Sequence, residues 1–256
     1  MSVRGTALAV GFLLVATLPA HAADDATVQK EIEARLAKAG LDKTGNVQVD
    51  VHGGVASLTG ITLSLRDRIR AEEAAAKEAE SVDSRLQVFP EKRADREIEK
   101  GVADAILGYV YYGVFDSISA GVTDGVATLR GSVRDEYRRD QILDRVVRVP
   151  GLRDVKNEIR VQPVSFLDDR LRRELVNKIY YDPNGLFVRF ASAPNPPVRI
   201  IVENGRVTLT GYVGTVLEQR VLTNIARGTL AFQVDNQVQL ESDRAREEAR
   251  ATQHEG

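Results

Sequence analysis

The sequence predicts an α+β protein made of three small two-layer sandwiches in tandem, each running helix, strand, strand, helix, strand. One spacing carries that expectation, because it occurs three times. An Asp is followed by apolar residues three, seven and eleven positions on, then by three alternating apolar residues, then by Gly-x-x-[Ser/Thr]-Leu-x-Gly. The copies start at Asp25, Asp95 and Asp168 and lead to Gly54–Gly60, Gly125–Gly131 and Gly205–Gly211. Self-similarity at a period of roughly 70 to 80 residues means repeated small domains rather than one large fold. In every copy the apolar period also changes from four to two, as it does where a helix gives way to strands.

The first helix of each copy carries an apolar stripe: Val28, Ile32, Leu36; Ile98, Val102, Ile106; Leu171, Leu175, Ile179. Four-residue spacing puts each set on one face, which can be buried. Asp25, Asp95 and Asp168 stand three residues ahead of these stripes, where a carboxylate can accept N–H bonds at the helix start. A structural role is therefore expected for them. Val47, Val49, Val51; Ile118, Ala120, Val122; and Val198, Ile200, Val202 alternate as in a first strand, and Ala56 with Leu58, Ala127 with Leu129, and Val207 with Leu209 as in a second. Between the two strands lie His52-Gly53-Gly54, Thr123-Asp124-Gly125 and Glu203-Asn204-Gly205. Such residues suit tight hairpin turns that need positive φ.

A charged helix follows each closing glycine. It carries Ile69 and an Ala-rich run in the first copy, Ile142, Leu143, Val146 and Val147 in the second, and Leu217, Val221, Leu222 and Ile225 in the third. The third strands read Val82, Leu86, Val88; Val155, Ile159, Val161; and Val234, Val238, Leu240. Two helices on one sheet face make a two-layer sandwich.

The second copy enters its third strand through Pro150-Gly151-Leu152-Arg153-Asp154-Val155-Lys156-Asn157, and the third reads Val234-Asp235-Asn236. With the glycine-bounded hairpins, these segments resemble the BON family of bacterial envelope domains, over nearly the whole chain beyond its first residues. The first copy departs most, lacking both the Pro-Gly turn and the Asn. The resemblance implies a role in envelope integrity or osmotic protection, and for some members binding of anionic phospholipid.

Residues 1–22 read as a secretory leader: Arg4, an apolar run from Ala7 to Leu18, then Ala20-His21-Ala22, with cleavage expected between Ala22 and Ala23. That run is shorter than the roughly 20 residues of a spanning helix, so no transmembrane span is expected in the mature chain. The absence of Cys excludes disulfides, thiolate sites and a lipid-modified Cys at the cleavage point. A periplasmic, unanchored protein is expected. The domain boundaries read 23–90, 91–163 and 164–240, with a polar tail at 241–256, and the short joints Pro90–Asp95 and Pro163–Asp168 imply that neighbouring domains touch.

The same four segments carry formal charges of −3, 0, +2 and −2. None is basic enough for a nucleic-acid partner. His52 and His254 are the only histidines beyond the leader, and no motif for phosphate, zinc or a nucleophile occurs. Neither cofactor, metal site nor enzyme activity is expected.

The copies differ most between first helix and first strand. The first has Gly40-Leu41-Asp42-Lys43-Thr44-Gly45, the second Tyr109, Tyr111, Tyr112 and Phe115, and the third Tyr180, Tyr181, Phe187 and Phe190. These aromatics either close a core that lacks Trp or form an amphipathic contact surface. In the second case Arg170, Arg172, Arg173 and Lys178 would supply cations for anionic headgroups. An envelope protein is the alternative partner, and a soluble stress-protective role without a ligand the alternative function. The Pro-rich insertion Ala191–Pro197 in the third copy reads as a spacer more than a binding loop.

Overall fold

A computed structural model describes residues 21–41, 45–243 and 246. The chain divides into two compact units, one holding repeat one and the other holding repeats two and three together. The expected leader therefore lies almost wholly outside the described residues, and its expected cleavage point falls at the start of the first helix.

Repeat one contains α1 (His21–Lys38), β1 (Asn46–His52), β2 (Val55–Thr62), α2 (Leu65–Ala75) and β3 (Ser81–Val88), with sheet order β1-β2-β3. Val47 pairs with Gly60 and Val49 with Leu58 in an antiparallel hairpin. Ile32 and Leu36 of α1 pack with Ala71, Ala74 and Ala75 of α2 over Ala56, Leu58 and Leu86 of the sheet. Its Ala-rich second helix thus presents small side chains to the core.

Repeat two contains α3 (Asp95–Leu107), β4 (Ser117–Thr123), β5 (Val126–Val133), α4 (Glu136–Val146) and β6 (Asp154–Val161). Here β4 pairs with β5 antiparallel and β5 with β6 in parallel. Repeat three contains α5 (Phe166–Tyr180), a short 3-10 turn (Val188–Phe190), β7 (Val198–Glu203), β8 (Arg206–Val213), α6 (Val216–Arg227), β9 (Gln233–Asn236) and β10 (Gln239–Leu240). Its third strand is broken in two. At the break Gln237 N–H donates to the Leu209 carbonyl, while Asn236 Oδ1 accepts from Val238 N–H at 3.1 Å. Asn236 Nδ2 donates to Thr223 and to the Gln219 carbonyl of α6, so the motif Asn ties the strand to the helix above it.

Two details correct the sequence reading. First, the recurring Asp does not cap its own helix. In α5 the cap is Ser165, whose hydroxyl accepts from Asp168 N–H, and in α3 the cap position is Ala94. The Asp carboxylate instead reaches the hairpin turn and accepts two backbone N–H bonds there. Asp25 binds Gly53 and Gly54 at 2.7 and 3.0 Å, Asp95 binds Asp124 and Gly125 at 2.7 and 2.9 Å, and Asp168 binds Asn204 and Gly205 at 2.8 and 2.7 Å. The turn exposes those donors because both its central residues have positive φ, as Asn204 (52°) and Gly205 (75°) show.

Second, the closing glycine does not end its strand. Gly60, Gly131 and Gly211 lie inside β2, β5 and β8, with φ of 113°, 125° and 114°. A Cβ at any of them would run into a neighbouring carbonyl: that of Asn46, Ser117 or Pro197. Close backbone approach is what makes this position glycine.

Candidate functional site

The aromatic loops are built inward. Tyr112 Oη accepts from Ile118 N–H at 2.9 Å, and Tyr180 Oη accepts from Val198 N–H at 3.1 Å while donating to the Val198 carbonyl at 2.6 Å. Both tyrosines thus latch the loop to the first residues of the following strand. Burial pushes the Tyr180 hydroxyl up to about 12, so it stays an uncharged donor and acceptor. Phe187 is 1% exposed and packs edge-on against Tyr180, with ring centroids 6.5 Å apart. Tyr109 is also buried.

The same loops join repeats two and three. Val114 and Phe115 pack against the core of repeat three, and the Val114 carbonyl accepts from Ile200 N–H of β7 at 2.8 Å. Arg199 donates to the Gly113 carbonyl at 2.9 Å and lies 4.8 Å from the centroid of the Tyr112 ring. From the insertion, Asn195 donates to the Leu107 carbonyl at 3.2 Å and accepts from Arg199. The insertion is therefore part of a clamp between repeats. Asp116, with no exposed surface, organises the loop by accepting from Gly113 and Arg134 N–H, both at 2.9 Å.

Among the basic residues expected at a contact surface, Arg172 belongs inside. It is 1% exposed, pairs with Asp169 at 2.6 Å, donates to Gln162 at 2.9 Å and reaches the Val202 carbonyl. Its charge is spent holding α5 against β7 and the end of repeat two. Tyr109, Tyr112, Phe187 and Arg172 are thus corrected from surface to interior, and Phe115 to a partly buried contact between repeats. Arg170, Arg173, Lys178 and Tyr181 are exposed, although Lys178 is also held by Glu174 at 2.7 Å. Tyr111, 61% exposed, stands with the exposed Val110.

A different surface emerges at one end of repeat three. There the Asp168 clamp brings the start of α5 to the Asn204-Gly205 turn. Phe232 N–H donates to the Gly205 carbonyl at 2.8 Å, and its ring lies over Gly205, where a Cβ would meet it. Phe166 and Phe232 are 76% and 86% exposed, and Val164, Leu167 and Leu230 are exposed with them. Arg206 follows the turn, and Arg170 stands one helical turn from Phe166, both exposed. This is an apolar tip with a basic margin.

A signal for the tip was present in the sequence. The residue whose N–H binds the turn carbonyl is Glu80 in repeat one, Arg153 in repeat two and Phe232 in repeat three. Just before the clamp Asp stand Arg93 and Ala94 in repeat two, against Phe166 and Leu167 in repeat three. Aligning the copies on their glycines shows Phe232 where the others have Glu80 and Arg153, and Phe166 and Leu167 where repeat two has Arg93 and the small Ala94.

The model of the BON domain matches residues 24–90, 94–163 and 188–242. The chain belongs to the BON domain family. The third match begins after α5, so the tip residues Phe166 and Leu167 lie outside it while Phe232 lies within. BON domains are envelope-associated, non-catalytic binding modules connected with phospholipid. No curated protein gives a significant sequence match. Among solved structures, the chain is similar to CdsD, a structural protein of the type III secretion system of Chlamydia trachomatis. Identity is 15%, over 84% of this chain and 92% of that one, at a TM-score of 0.22. A second structure, of the C-terminal domain of CdsD, gives 14% identity over 82% and 96%, at 0.23. At these scores the likeness bears on neither fold nor function.

Among the described residues no helix is long and apolar enough to cross a membrane, and no group of three or more His, Asp or Glu side chains is arranged to hold a metal ion.

Proposed function

We propose that this BON protein is a non-catalytic module of the bacterial cell envelope that docks peripherally onto phospholipid membranes through the apolar tip of repeat three. The supporting observation is the exposure of Phe166, Leu167, Leu230 and Phe232 around one hairpin turn. A cluster of large apolar side chains with a polar margin marks an interaction surface. Phe at a protrusion can enter the acyl boundary of a bilayer, while Arg170 and Arg206 meet anionic headgroups. Exposed Arg173 of α5 adds a cation in this reading, whereas Lys178 and Tyr181 at the far end of α5 and Tyr111 in the loop of repeat two lie outside the contact. The expected periplasmic location places the tip within reach of envelope membranes.

Flotation of the purified protein with vesicles of phosphatidylglycerol or of phosphatidylcholine tests the reading. Wild type is expected to float with the anionic vesicles, and the Phe166→Ser/Phe232→Ser double variant to remain at the bottom while keeping its circular dichroism spectrum. Wild type failing to float with either lipid overturns the proposal. The burial of Tyr112 and Phe187 supports a second reading, a soluble stress-protective protein without a ligand. That reading predicts equal behaviour of wild type and double variant.

A further inference from the structure

Strand periodicity gives each sheet of repeats two and three a second face, away from its helices. On β4 and β5 the residues turned from the core are Ser117, Ser119, Arg130 and Ser132, and on β7 and β8 they are Arg199, Ile201, Thr208, Thr210 and Tyr212. These two faces approach one another. Ser117 Oγ lies 3.1 Å from Thr210 Oγ1, and Arg160 pairs with Glu203 at 3.2 Å. Between them runs a groove of about 790 Å³, rimmed by Pro196 and Pro197 of the insertion. That volume is within the range of roughly 300 to 1,000 Å³ typical of small-ligand sites.

The lining selects the class of ligand. Hydroxyls of Ser119 and Thr208 and the amide of Gln239 can both give and accept hydrogen bonds, and Ser117 and Thr210, bonded to each other, keep further capacity for a ligand. They suit a ligand dense in hydroxyl groups, and Tyr212 offers a ring for the flat face of a sugar. Arg130, Arg160 and Arg199 line the groove; Glu158 and Glu203 pair with the first two, which leaves the single net positive charge of Arg199 to favour an anion. Glu158 holds Arg130 at 2.8 Å, and Asn195 with Gly113 holds Arg199, which fixes these guanidinium groups before a ligand arrives. Proline at the rim further limits the entropy lost on binding.

We propose that the groove between repeats two and three binds an acidic oligosaccharide, a short chain of sugars bearing carboxylates. The site is separate from the apolar tip and does not depend on it.

Isothermal titration of the full chain with trigalacturonate, maltotriose and sulfate tests this. Trigalacturonate is expected to bind saturably at one site, with the neutral trisaccharide and the simple anion each weaker by about tenfold or more. Arg130→Gln and Tyr212→Ala are each expected to weaken binding about tenfold, the scale of one lost charge-assisted bond or stacking contact. Phe166→Ser/Phe232→Ser, which removes the tip, is expected to leave the affinity unchanged. Amide NMR shifts on titration should fall at Ser117, Ser119, Thr208 and Thr210, which guards against a variant that has merely lost its fold. No binding of trigalacturonate, equal binding of maltotriose or sulfate, or shifts confined to other residues would overturn the proposal.

Discussion

Asp25, Asp95 and Asp168 each spend a carboxylate on two N–H donors of a turn across the domain, and the three sites differ in burial. Asp168 is the most enclosed. Removing it leaves two turn donors without their partner in a place water reaches poorly, so Asp168→Ala is expected to cost about 3 kcal/mol in urea unfolding. Asp25→Ala should cost less, because the Gly53 end of its contact is exposed. Asp116 gives a different signature. Burial pushes its carboxyl above the ordinary range, against the pull of the Gly113 and Arg134 N–H groups and of Arg138. A carboxyl whose folded pKa is raised contributes stability that is complete below its unfolded pKa and is lost as pH rises through the folded value. Unfolding free energy of wild type measured relative to Asp116→Asn is therefore expected to fall on going from about pH 3 to pH 7. A difference that stays flat or rises would contradict the assignment.

At the scale of the element, the strand glycines separate into two kinds that a sequence shows as one letter. Gly211 combines a positive φ with a carbonyl in the space of its Cβ, whereas Gly121 in β4 has nothing within 4 Å. Gly211→Ala is expected to cost about 2 to 4 kcal/mol by thermal or urea unfolding. Gly121→Ala is expected to change stability by less than about 1 kcal/mol. The helices and strands themselves were legible because Ile98, Val102 and Ile106 recur at helical spacing and Ile118, Ala120 and Val122 at strand spacing. Turn positions were legible from Asp-Gly and Asn-Gly. The destination of the Asp carboxylates was not, because a side chain at a helix start finds backbone donors both locally and across the fold, and only the three-dimensional path of the hairpin decides between them. The loop aromatics were ambiguous for a related reason. Tyr111 and Tyr112 carry the same side chain, yet Arg199 of repeat three covers only Tyr112, while Phe187 is buried against Tyr180 in its own repeat. The apolar tip draws on three segments far apart in sequence, α5, the β7–β8 turn and the stretch after α6, so only the alignment of the copies, and no single stretch, announces it.

On the scale of the molecule, repeats two and three form one body. Val114 bonds Ile200, Arg199 bonds Gly113, and Phe115 enters the partner core. Calorimetry is expected to show these two repeats unfolding in a single transition, since the surfaces they share are desolvated together. Arg199→Ala removes the bond to Gly113 and the cover on Tyr112, and should split or broaden that transition. The Asp clamps and this joint also differ in how much chain each must close. A clamp joins residues 28 to 37 positions apart, while the Arg199–Gly113 and Ser117–Thr210 contacts span 86 and 93. Short closures form early and long ones late. A chain emerging from its N-terminus can therefore complete each sandwich in turn, and until the third has formed, Val114 and Phe115 present an unfilled edge that a chaperone, or another copy of the chain, could occupy.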